Sequence, residues 1–150
     1  MKQASLNNSN NNYIRAMLKD ILHGHDKHTG IAIVNEWNED LEKTWNVYFI
    51  NSGDAIVENV LVTCKGYGEL NDTRHETSLT RYALGDIEAN GMVKIEPLNP
   101  DLFVLNNEYF ITFYRDGHMI DKKIVFAANT VSEETIQEIT EMNKQGILLT

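Results

Sequence analysis

With 150 residues, 42% of them hydrophobic and 23% charged, the chain has the make-up of one globular domain able to bury roughly 70% of its unfolded surface. Its net charge of −9 repels phosphate backbones and argues against nucleic acid as a partner. No apolar run approaches the roughly 20 residues that cross a bilayer, and the start, MKQASLNNSNNNY, lacks the apolar core of a secretory signal, so no membrane partner is expected and the cytoplasm is the expected compartment.

The charge is uneven: residues 1–34 carry four Lys/Arg against two Asp, leaving +2, so the remainder carries −11. The single cysteine, Cys64, cannot close an intrachain disulfide and reads as a small hydrophobe in the run Val60–Cys64.

Residues 1–12 are Asn-rich and polar, the composition of a disordered tail. Residues 13–40 read as a helix followed by a histidine-containing linker. Tyr13, Ile14, Met17, Leu18, Ile21 and Leu22 recur at three- and four-residue spacing, which predicts an amphipathic helix stopped near Gly24. Such a helix either caps the domain or docks on a partner through Met17 and Leu18. His23, His25 and His28, with Asp26 among them, have the composition of a zinc or nickel site. Gly24 breaks the helix that would hold two imidazoles on one face, so a polar loop is the expectation, with no metal or other cofactor. Ile31 to Trp37 suits either a short strand or a continued helix.

Residues 41–150 read as the β domain. Trp45–Ile50 is a strand apolar on both faces, and Asn51-Ser52-Gly53-Asp54 a turn. Ile56–Lys65 alternates with Ile56, Val60, Val62 and Cys64 on one face. Gly66-Tyr67-Gly68 ends it, and Glu69–Glu76 reads as a polar loop. Ser78–Leu84 is a shorter strand. Ile87 precedes the turn Glu88–Gly91, after which a strand stops at Pro97 or lies at a sheet edge, because proline cannot donate to a ladder. Asn106-Asn107 suits a turn. Ser132-Glu133-Glu134 suits the N-terminus of a short helix through Glu138, and Gly146–Leu149 a final edge strand.

Glu108–Ala127 carries the clearest pattern. Asp116-Gly117 tolerates the positive φ angles of a type I′ turn, which sets Arg115 opposite His118, Phe113 opposite Ile120, Ile111 opposite Lys122 and Tyr109 opposite Ile124. One face is then a core, with Lys122 its odd member. The other mixes Phe110, Tyr114 and Met119 with short polar residues. Together these elements predict a mainly β fold: an antiparallel, immunoglobulin-like β-sandwich of about 6–8 strands with an N-terminal amphipathic helix.

From Trp45 onward the chain resembles a family of short, uncharacterised bacterial proteins. The resemblance rests on Trp45–Asn51, Glu58–Thr63, Lys65–Gly68, Thr77–Arg81, Ile95–Pro97, Leu105–Tyr109 and Asp121–Lys123. It implies an immunoglobulin-like sandwich. Some members carry the name phosphoribosylpyrophosphate synthetase. That chemistry needs a nucleotide site, Mg²⁺ ligands and a phosphate cradle, and the sequence has neither a P-loop nor parallel α/β units.

Of the candidate sites, Lys65-Gly66-Tyr67-Gly68 could form an anion-binding nest or a sharp strand exit. Arg81, in an otherwise small and apolar strand, could grip an anion or pair with Glu58, Glu96 or Asp121. Lys122 on the core face could be a perturbed amine, or mark a bulge, a shifted turn or snorkelling at an edge. No nucleophile–base set assembles, so no catalytic residue is assigned. The expected function is a non-catalytic interaction or assembly module that docks a protein partner or forms a homo-oligomer, with Phe110, Tyr114 and Met119 on its contact face because aromatics and Met are enriched at interfaces. The alternative is a binder of, or enzyme on, an anionic small molecule, a nucleotide or sugar phosphate held by Lys65, Tyr67, Arg81 and Lys123.

Overall fold

A computed structural model describes residues 11, 12, 14 and 26–150. The helix expected over Tyr13–His23, with Met17 and Leu18, lies outside the described residues except for Ile14, as do His23 and His25. Most of the polar start lies outside them too.

The described chain is mainly β. Its strands are β1 (Thr29–Trp37), β2 (Lys43–Asn51), β3 (Val57–Leu70), β4 (Thr73–Glu76), β5 (Thr80–Ile87), β6 (Gly91–Pro97), β7 (Asn106–Arg115), β8 (His118–Phe126), β9 (Gln137–Ile139) and β10 (Lys144–Leu149), with a 3-10 turn over Pro100–Val104. Every pairing is antiparallel. Sheet A has the order β6-β2-β1-β10-β9. Sheet B has the order β4-β3-β7-β8, and β5 also pairs with β3.

Strand alternation builds the core between the sheets. Ile31, Ile33, Val47 and Phe49 from sheet A meet Val60, Val62, Ile111, Phe113, Ile120 and Ile124 from sheet B. Fully burying one such side chain stabilises by about 1.5–3 kcal/mol. Edge-to-face ring pairs tie the layers, with Phe49 and Phe113 6.4 Å apart across the gap and Tyr109 and Phe126 6.0 Å apart within sheet B. A smaller cluster covers the outer face of sheet A, where Ala32, Val34 and Ile50 are buried with Ile139 and Met142.

The β7–β8 hairpin has the expected register, with Arg115 opposite His118, Phe113 opposite Ile120, Ile111 opposite Lys122 and Tyr109 opposite Ile124. Asp116 and Gly117 both have positive φ, 51° and 75°, as a type I′ turn requires. The expected edge position of the strand ending at Pro97 also holds, since β6 is the end member of sheet A.

Elsewhere the structure departs from the sequence reading. Strand structure begins at Thr29, not near residue 41. Ile31–Trp37 belongs to a strand held between β2 and β10, and its near-continuous burial is the mark of a central strand rather than a linker. Gly66-Tyr67-Gly68 does not end β3, which runs to Leu70 and turns back at Asn71-Asp72 into β4. Both turn residues have positive φ, 52° and 62°, so the expected polar loop is a second tight hairpin. The buried position at the start of β3 falls to Val57 and not Ile56, because a bulge at Glu58-Asn59 inserts one extra residue. Asn106-Asn107 opens β7 and is not a turn; the Asn107 amide is buried and donates to the carbonyls of Leu102 and Leu105. No helix forms over Ser132–Glu138. A single turn closed by the Thr135 amide on the Ser132 carbonyl leads into β9. β10 packs between β1 and β9, but β9 covers it only over Lys144–Gly146, so among the described residues Ile147–Leu149 keeps the expected edge position. Gly146 permits that close packing: a Cβ there would lie 2.2 Å from the Ile33 carbonyl oxygen.

Candidate functional sites

The outer face of sheet B gathers most of the residues singled out in the sequence. Strand register sets Arg81 opposite Thr63, Thr63 opposite Phe110 and Phe110 opposite Lys123, a single row across four strands. One row away stand Leu61, Thr112 and Asp121. Phe110, Tyr114 and Met119 are 42%, 40% and 49% exposed, and Leu61, which the sequence reading did not select, is 53% exposed. The signal was in the sequence: with Val60, Val62 and Cys64 facing the core, strand alternation turns Leu61 outward. Lys65 and Tyr67 lie on the same face but are engaged. The Lys65 amine is 3.7 Å from the Glu108 carboxylate and 5.5 Å from the Tyr67 ring, while the Tyr67 hydroxyl donates to Glu108 at 3.4 Å. Arg81 is exposed and among the described residues makes none of the ion pairs expected with Glu58, Glu96 or Asp121.

A second site is ionic and buried. No bulge or shifted turn accompanies Lys122; it points into the core from the middle of β8, with a side chain only 7% exposed. Its amine donates to the Thr29 carbonyl at 2.7 Å and the Asp26 carbonyl at 2.9 Å, and lies 3.5 Å from the Asp26 carboxylate. Asp26, 2% exposed at its side chain, also accepts from the Thr29 hydroxyl at 2.5 Å, the His28 amide at 3.1 Å and Arg115 at 3.0 Å. Burial alone pushes the Asp26 carboxyl up. The Thr29 and His28 hydrogen bonds, then the charge of Lys122 and the Arg115 hydrogen bond, outweigh it and hold the group below its ordinary value. Burial likewise lowers the Lys122 amine, against the attraction of Asp26. With its donors occupied, Lys122 is a fastening between β8 and the approach to β1. Arg115 adds a stack 5.4 Å from the Phe113 ring, and its Nη2 has no hydrogen-bond partner among the described residues.

A third site is a cleft of ≈ 250 Å³ at the opposite flank, lined by Cys64, Thr77, Thr80, Glu96 and Tyr109 among others. The Tyr82 hydroxyl donates to Glu96 at 2.7 Å; that bond, with burial, pushes the phenol up to about 12. Burial and then the Glu96 charge push the Cys64 thiol up to about 12, so at neutral pH it is a protonated thiol and a poor nucleophile. Gly66 forms no open nest here, because its amide already donates to the Thr77 hydroxyl at 2.7 Å.

His28 is exposed, and its carbonyl accepts from the Ser52 amide at 2.7 Å. Among the described residues no three metal-ligating side chains converge, and no helix is long and apolar enough to cross a membrane. Compared with known proteins, the chain matches no family model, no curated protein and no solved structure.

Proposed function

We propose that the protein is a non-catalytic assembly module that pairs with a second copy of itself through the outer face of sheet B. The observation that carries this reading is the contrast between the two outer faces. On sheet A the central outward apolar side chains Ala32, Val34 and Ile50 are buried, with Met92 on edge strand β6 43% exposed, whereas on sheet B Leu61, Phe110, Tyr114 and Met119 each stand at least 40% exposed. Contiguous apolar surface of this kind marks contact sites, and aromatics with Met are the enriched types.

A second copy is favoured as the occupant by charge. Asp121 and Lys123 stand two residues apart on β8, facing the same way. A two-fold axis passing between them pairs each with its opposite on the partner, as an isologous interface demands. The immunoglobulin-like grade of the fold is part of the same reading. It is supported by the order β5-β3-β7-β8 facing β6-β2-β1, which follows the C′-C-F-G and E-B-A order of those sandwiches, with β10 and β9 as an addition beside β1. The cytoplasmic placement rests on the single unpaired thiol.

Sedimentation of the full chain tests the proposal. The expected result is a dimer, dissociated by Phe110→Ser/Tyr114→Ser and by Asp121→Lys or Lys123→Asp singly, and restored by the Asp121→Lys/Lys123→Asp swap. A protein monomeric at about 100 µM, a concentration that would populate a micromolar dimer, overturns it. So does a dimer indifferent to the aromatic pair.

The anionic-ligand reading has less support. Lys65 is neutralised by Glu108, and Arg81 and Lys123 stand on opposite flanks of the sheet with two strands between them.

A further inference from the structure

On the flank away from the Cys64 cleft, a cavity of ≈ 600 Å³ opens where the margins of the two sheets come together. One wall is the end of β8 at Val125 and Phe126, continuing to Ala127; the other is β10 from Gly146 to Leu149, with Ile139 from β9. Both walls are strand margins. Among the described residues β8 pairs only with β7. β9 covers β10 only over Lys144–Gly146, so among the described residues Ile147–Leu149 has a strand neighbour on the β1 side alone. The chain ahead of β9 is bent by the Ser132–Thr135 turn, which stops that pairing from continuing.

Open strand margins invite pairing with another chain, and proteins usually blunt them. β6 ends in proline, and the middle of β8 carries the inward-pointing Lys122. Neither device reaches this cavity. Ile147, Leu148 and Leu149 are each half-buried, so side chains of both strand faces border the opening. Among the described residues the charges in the lining are Glu138 and Glu141, both exposed, with no Lys or Arg.

We propose that this cavity takes up an extended peptide segment of a partner, which adds as a strand beside Ile147–Leu149. Unpaired main-chain groups supply its hydrogen bonds, and alternate side chains enter the apolar floor, the usual logic of strand addition. The acidic rim selects a segment carrying Lys or Arg among β-branched residues. This site is separate from the outer face of sheet B, and either can fail without the other.

The test titrates synthetic hexapeptides into the isotope-labelled full chain and follows backbone amide shifts. One series alternates Val and Ile with Lys, one alternates them with Glu, and a third is the Lys series N-methylated at alternate amides. The Lys peptides are expected to shift amides within Val125–Ala127 and Gln137–Leu149. The Glu and N-methylated series should each bind at least about ten-fold more weakly, a difference of one decade in dissociation constant. Glu138→Lys/Glu141→Lys, at two exposed positions that leave the core intact, should reverse the preference toward the Glu series. Absence of shifts with every series at about 1 mM, the weak end of measurable affinity, overturns the proposal. Shifts confined to the outer face of sheet B, or equal binding of the N-methylated peptide, overturn it as well.

Discussion

The Lys122 amine lies 2.9 Å from the Asp26 carbonyl and 3.5 Å from its carboxylate, joining residues 96 positions apart. Removing the carboxylate leaves a buried cation without its counter-ion. Asp26→Ala is therefore expected to cost about 3–5 kcal/mol. A urea melt of the variant should show a lower midpoint with an unchanged slope. The loss should be nearly the same at low and high salt, because a dry pair is screened little.

The same pair sets a pH dependence. Asp26 is held below its ordinary carboxyl value in the folded state, so the unfolded chain binds the proton more readily. The resulting stability is fully present above the unfolded value near 3.8 and is lost as pH falls through the lower folded value. Lys122 is also lowered, from 10.5, so its contribution rises with pH as that value is approached. Melts from pH 6 downward should show a loss below about pH 4 that is largely absent in the Asp26→Asn variant.

Two glycines separate steric from conformational requirements. Gly85 has φ of +74° and open space around it, so alanine there should cost only the left-handed backbone, about 1–2 kcal/mol. At Gly146 the added carbon would meet the Ile33 carbonyl at 2.2 Å, and a ladder carbonyl cannot retreat. Gly146→Ala should cost more than Gly85→Ala in parallel melts and should lower amide protection across the β1–β10 pair.

Cys64 should be inert. Its thiol is buried and pushed up to about 12, and the thiolate is the reacting species. A thiol-specific reagent at pH 8 should label it at a rate set by unfolding, accelerating with urea. Fast labelling of the native chain would contradict the geometry.

At the Asn71-Asp72 turn both residues have positive φ, and Asn-Gly is the pair best suited to it. Asp72→Gly should stabilise the β3–β4 hairpin by about 1 kcal/mol, read as slower amide exchange in Thr73–Glu76.

Much of sheet B was legible because local rules fix it. The Asp116-Gly117 turn set the whole β7–β8 register, and with it the exposure of Phe110, Tyr114 and Met119. Three features were illegible for reasons of distance or small local irregularity. β1 is buried on both faces, and short buried strands and helix segments share one apolar pattern. The burial of Val57 in place of Ile56 was hidden by a one-residue bulge that shifts alternation at the start of β3. Lys122 looked anomalous because Asp26, its partner, lies 96 positions away, and nothing in the surrounding sequence announces that contact.

The placement of β1 has a consequence for how the molecule is made. Its two neighbours, β2 and β10, come from opposite ends of the β region. During synthesis the β1–β2 hairpin emerges with one side bare, and that side stays bare until the stretch up to Leu149 has left the ribosome. Non-local closure of this kind is slow, so the growing chain should depend on chaperone protection until β10 arrives.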